Sequence, residues 1–113
     1  MQIDYKSRKL EKAFLKKAQA VKEWGGQNAQ KLLQRHTELQ AANNLEIFST
    51  LPGTGFHSLK GDRKDQFACY GKYPFRLVFE AEHDPVPRKT DGGVDLSLVT
   101  QIRILEVVDY HGD

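Results

Sequence analysis

The chain has 113 residues and a mass of 12.9 kDa, with 39% hydrophobic residues and a formal net charge of +2. That supports a single domain over 1–113 with one modest core, and it is too apolar for a disordered chain. The one cysteine, Cys69, excludes an internal disulfide; no run approaches the roughly 18 apolar residues of a membrane span, and MQIDYKSRKL offers no apolar leader, so a cytoplasmic protein without membrane association is expected.

Ile3–Lys6 reads as a short opening strand. Ser7 is placed to cap a helix in which Leu10, Ala13, Phe14, Ala18, Val21 and Trp24 recur at helical spacing, opposite Lys9, Lys12, Lys16, Lys17 and Lys22. Gly25-Gly26 ends it. A second helix is expected from about Asn28, carrying Ala29, Leu32, Leu33, His36 and Leu39 on one face and ending near Asn43-Asn44. So short a link predicts an antiparallel helical hairpin.

After the turn sequence LPGTG (51–55) the texture becomes that of strands: FHSLK (56–60), QFACYG (66–71), FRLVFEAE (75–82) and TQIRILEVVDY (100–110), separated by turns. Leu77, Phe79 and Ala81 share one face, and Arg76, Val78 and Glu80 the other. The expected architecture is α+β: an N-terminal strand and a two-helix hairpin packed on an antiparallel sheet of four to five strands. The connection 83–98 is long for a hairpin of this size, and loops of that length are commonly functional or mobile.

The charge is distributed unevenly. Residues 1–50 hold nine Lys/Arg against five Asp/Glu, a net of +4, whereas 51–113 hold eight against ten, a net of −2. Within the second half, 56–76 carries five basic residues against two acidic ones, and the acids gather at Glu80, Glu82, Asp84, Asp91 and Asp95. A polyanionic partner is therefore permitted.

No metal-ligand spacing and no glycine-rich phosphate loop occur, so neither metal nor other cofactor is expected. Cys69 alternates with Phe67 and reads as core, and His36 reads as a partly buried structural histidine. One constellation remains. His57 and Lys60 lie on the first strand after the helices, Arg63 and Lys64 in the following turn, Arg76 on the next strand but one, and Asp109, Tyr110 and His111 close the last. Two histidines, a tyrosine, a carboxylate and several cations suit cleavage of RNA by its own 2′-OH, without metal. Histidine's ordinary pKa of about 6.5 lets both protonation states be populated at neutral pH. Each of these residues also has an ordinary reading, as an exposed strand residue, a cross-strand ion pair or a chain end.

The order LPG (51–53), FHSLKGDRK (56–64), FRLVF (75–79) and VVDYH (107–111) resembles the HigB group of the RelE superfamily, the plasmid-maintenance killer toxins of type II toxin–antitoxin systems. The likeness is densest over 51–80 and 100–111. The resemblance implies a RelE-like fold and a ribosome-dependent endoribonuclease (an mRNA interferase) that needs no metal. Implied partners are the ribosome with its messenger RNA and a cognate helix-turn-helix antitoxin, with which it would form a heterotetramer. Carried over, the catalytic positions fall on His57, Asp109, Tyr110 and His111, with Arg76 stabilising the transition state. Lys60, Arg63 and Lys64 become RNA contacts, and the acidic stretch 80–95 becomes a rim that could face the antitoxin. The chain departs from the group in its long 83–98 connection and modest net charge. Two other readings stay open: a ParE-like toxin acting on gyrase, and a non-catalytic module that binds RNA or a protein partner.

Overall fold

The computed structural model describes residues 1–109. Strand β1 (Gln2–Tyr5) leads into four helices, α1 (Arg8–Leu15), α2 (Lys17–Trp24), α3 (Gly26–Ala41) and α4 (Leu45–Ser49). Strands β2 (His57–Ser58), β3 (Gln66–Tyr70), β4 (Phe75–Ala81) and β5 (Gln101–Asp109) complete the chain order. Short 3-10 turns stand at Gly61–Arg63 and Leu96–Leu98.

The Ser7 side chain accepts a hydrogen bond from Leu10 N (3.2 Å), as expected of its cap position. The first helix does not run on to Trp24. Lys16 is extended, and the break re-phases the second helix: Ala20, not Ala18, is buried, and Val21 is largely exposed. Neither glycine nor proline signals this break. Gly25, with φ +78°, is the whole link between α2 and α3, so α3 starts two residues earlier than expected. Helix α4 is an addition to the expected layout, although Asn44 caps it by accepting from Ile47 N at 2.9 Å.

The sheet is mixed, in the order β1-β5-β4-β3-β2. β2, β3, β4 and β5 are antiparallel neighbours as expected, but β1 pairs parallel with β5, Gln2 opposite Gln101 through Tyr5 opposite Ile104. A parallel pair needs a long crossover, and here nearly the whole chain supplies it. The expected strand 56–60 shrinks to two residues at the sheet edge.

One face of the sheet lies under the helices. Phe67, Cys69, Leu77, Phe79, Ile102 and Ile104 meet Phe14, Leu32, Leu39, Leu45 and Phe48 there, so the alternation read for Cys69 holds. Opposite Val78 and Phe79, Leu105 is the extra residue of a β-bulge, which brings Val107 back to the core side. His36 is buried as a structural histidine, its Nε2 2.7 Å from the Tyr5 hydroxyl and its ring stacked on Phe14.

Connection 83–98 is a folded excursion. Lys89 N donates to Gly93 O, Arg88 bridges Val94, and Val86, Val94 and Leu96 pack on the core. The Arg88 guanidinium grips both Asp65 oxygens (3.0 and 2.6 Å), which ties the excursion to the β2–β3 turn and holds the Asp65 carboxyl below its usual pKa. The acids read as a rim are mostly engaged: Glu82 with Gln101 and Arg103, Asp95 with Ser97, and Asp91 with Gly93 N.

Candidate functional site

Among the described residues no helix covers the other face of the sheet, and of the sequence-selected residues this face receives His57, Arg63 and Arg76. His57 pairs across from Ala68, Ala68 from Val78, and Val78 from Glu106, so these four form a row across β2 to β5. Tyr70, Arg76 and Val108 form the next row. Ala68 and Val78 are fully buried, and Val78 lies on the face opposite Leu77 and Phe79, as the alternation expects. The Arg63 guanidinium bonds Gln66 Oε1 on β3 (3.1 Å) and Glu106 on β5, and so spans β4 on this face.

His57 is exposed, and its Nδ1 lies 2.8 Å from Gly55 O. A carbonyl only accepts, so Nδ1 carries the proton and the neutral ring keeps its lone pair on Nε2. Gly55 has φ +63°, and a Cβ there would lie 2.4 Å from the Tyr70 ring. The Tyr70 ring therefore packs directly on glycine backbone. Over the same ring sits the Arg76 guanidinium, 4.4 Å from the centroid, with Arg76 Nη1 donating to Phe75 O at 3.0 Å. Two strand spacings of about 4.8 Å and two residues of about 3.4 Å put the Cα atoms of His57 and Arg76 about 12 Å apart, the Tyr70 ring between them.

Arg35 secures this arrangement from below. Its side chain is buried in α3, donates from Nε to Tyr70 O (3.0 Å) and from Nη2 to Gly53 O (2.9 Å), and pairs with Glu38 through Nη1 at 2.6 Å. Tyr70 N donates to Thr54 O at 2.7 Å. The LPGTG turn is thus clamped between α3 and β3, and it carries the carbonyl that orients His57.

The other selected residues lie further apart. Lys60 is exposed and sits just before the 3-10 turn, beyond the end of β2 rather than on it. Lys64 is exposed beside an open depression of about 460 Å³ that the 83–98 excursion borders with Lys89, Gly92 and Val94. Neither lysine forms a salt bridge among the described residues. Asp109 ends β5 opposite Phe75, and alternation along the strand gives it the core-side parity of Val107 rather than that of Arg76; β4 and β3 lie between it and His57. Tyr110 and His111 lie outside the described residues. No group of three or more His, Cys, Asp or Glu among the described residues is arranged to hold a metal ion, and no described helix is long and apolar enough to cross a membrane.

Sequence reasoning passes over Tyr70, Gly55 and Arg35. Parity is the signal that could have found Tyr70: Phe67 and Cys69 point to the core, so Tyr70 belongs with Arg76. Glu38 is the local partner of Arg35, but nothing local marks its bonds to Gly53 and Tyr70, which lie 18 and 35 residues away. No protein-family model and no curated protein matches this chain.

Proposed function

We propose that this chain is the toxin of a type II toxin–antitoxin pair, with the RelE-like fold of the HigB group, and that it cleaves messenger RNA on the ribosome. The observation that carries the reading is the orientation of His57. Its Nδ1 proton is committed to Gly55 O, so an exposed Nε2 lone pair on the helix-free face is ready to act as a base. In this reading His57 Nε2 takes the proton of the 2′-OH, the 2′-oxygen bonds to phosphorus, and the bond from phosphorus to the 5′-oxygen breaks. His111 protonates that leaving oxygen. The products are a 2′,3′-cyclic phosphate and a 5′-hydroxyl, with no metal and no other cofactor. Arg76, held over Tyr70, faces the charge that grows on the phosphoryl oxygens. Tyr110 stacks on a base or positions the phosphate, and Asp109 orients an imidazole or the 2′-OH. Lys60, Arg63 and Lys64 contact the RNA backbone, and the small net charge leaves positioning to the ribosome. A helix-turn-helix antitoxin neutralises the toxin in a heterotetramer.

The test is expression of the chain and of its His57→Ala and His111→Ala variants in a bacterium. The reading requires early arrest of translation with messenger RNA cut on ribosomes, and a loss on the order of 10²–10⁴ in cleavage rate for each variant. Replication stopping first would turn the reading toward gyrase. Intact messenger RNA on translating ribosomes would leave a non-catalytic binding module.

A further inference from the structure

Where the helix-free face meets the turn between β3 and β4, an open depression of about 350 Å³ is lined by Tyr70, Gly71, Tyr73 and Arg76. No carboxylate lines it, nor the depression of about 410 Å³ that shares Tyr73 with it and is bordered by Lys72.

Arg76 differs from the other arginines of the sheet and helices. Arg35, Arg63, Arg88 and Arg103 each hold a carboxylate. Half-buried Arg76 holds none among the described residues. Its guanidinium lies instead 4.4 Å from the centre of the Tyr70 ring, and its Nη1 donates to Phe75 O. The group is therefore fixed in place with N–H donors to spare, and its planar fork matches the oxygens of a phosphate.

Tyr73 adds a second, independent feature. Its ring is 69% exposed, with its centre 6.0 Å from the guanidinium carbon. The turn that carries it is firmly held. Phe75 N donates to Lys72 O at 2.8 Å, and Lys72 N donates to Asn28 Oδ1 on α3 at 3.0 Å. A Cβ on Gly71 would lie 2.8 Å from that same oxygen and 2.9 Å from Leu32, so the turn rests directly on the helix. An exposed ring on a turn so clamped presents a fixed face for stacking. A spare guanidinium fork and a flat ring this close together, with no carboxylate between them, describe the two halves of a nucleotide.

We propose that Tyr73 and Arg76 form a nucleotide clamp for single-stranded RNA, with a base stacked on Tyr73, its phosphate on Arg76, and Tyr70 as the seat that fixes Arg76. The assignment of RNA rests on the function proposed above, in which the gripped nucleotide adjoins the cleaved phosphate.

The full chain, labelled with ¹³C and ¹⁵N, is titrated with 5′-AMP, ribose 5-phosphate and adenosine while the Tyr73 ring, Arg76 Nε–H and Gly71 and Phe75 amide signals are followed. Saturable shifts of the Tyr73 ring and Arg76 Nε–H are expected with 5′-AMP. Ribose 5-phosphate shifts Arg76 more weakly and leaves the Tyr73 ring unmoved, and adenosine does little. Tyr73→Ala raises the Kd for 5′-AMP about tenfold, to the level of ribose 5-phosphate, with unchanged circular dichroism. Tyr73→Phe keeps the ring and restores the affinity. Arg76→Gln weakens both phosphates severalfold, and it carries the test if Tyr73→Ala does not fold. Binding of 5′-AMP that is indifferent to Tyr73→Ala and Arg76→Gln overturns the clamp. Absence of shifts at millimolar 5′-AMP overturns it as well, and leaves the exposed ring and guanidinium to a protein partner. A chain that cuts messenger RNA on ribosomes without these shifts loses the clamp alone. A chain that binds 5′-AMP through Tyr73 but leaves ribosomal messenger RNA intact keeps the clamp and loses the nuclease reading.

Discussion

The ring of Tyr70 rests on the backbone of Gly55 so closely that no side chain fits between them, and the Arg76 guanidinium lies over that same ring. His57 is anchored on the Gly55 carbonyl. One aromatic side chain therefore links the orientation of a histidine on β2 to that of an arginine on β4. Gly55→Ala introduces a Cβ that must displace the ring, at a backbone conformation unfavourable to alanine. A loss of about 1–3 kcal/mol in urea unfolding is expected, together with a shift of the His57 imidazole resonances. Tyr70→Phe keeps the ring and leaves both unchanged.

Arg35→Met is expected to cost about 3–5 kcal/mol, because it strands the Tyr70 and Gly53 carbonyls and the Glu38 carboxylate that the buried guanidinium serves. Arg35→Lys does not rescue the loss, since a single ammonium cannot reproduce the planar fork that meets three acceptors. Urea denaturation of the three proteins at one pH measures both statements.

Stability should depend on pH through His36. Burial holds its pKa below the ordinary value of about 6.5, so the unfolded chain binds a proton that the folded chain refuses. The stability that neutral His36 contributes is full above about pH 6.5 and is lost as the pH falls through the lower, folded-state pKa. His36→Gln preserves a hydrogen-bonding partner for Tyr5 and removes the titration. Unfolding free energies at pH 7.5 and 5.5 should fall less steeply for the variant; an equal slope would locate the titration elsewhere.

Cys69 is fully buried, and burial pushes its thiol up to about 12. A thiol of this kind reacts at the rate at which the core opens. Aromatic disulfide reagents should therefore leave the folded protein unmodified and label it promptly in denaturant. Rapid labelling of the folded chain would contradict the packing of β3.

Local chemistry determined a good part of this protein. The Ser7 cap, the alternation that buries Phe67, Cys69, Leu77 and Phe79, the structural role of His36 and the antiparallel order of β2 to β5 all arise from patterns within a few residues. Periodicity reports which side of an element faces the core, and the cap and turn signals report where it starts. Neither reports what lies across a gap of tens of residues. The parallel pairing of β1 with β5, the break at Lys16 that turns Ala20 inward, and the bonds from Arg35 to Gly53 and Tyr70 depend on long-range closure. The candidate site divides in the same way. Its basic residues and His57 were legible as types in order, whereas the seating of Tyr70 between Gly55 and Arg76 exists only once β2, β3 and β4 are in register. The small net charge was evident from composition, but tertiary structure decided which cations share the helix-free face and which pair elsewhere. That sorting is an outcome of packing: an arginine such as Arg88 or Arg103 finds its carboxylate only when the strands and the 83–98 excursion have closed around it.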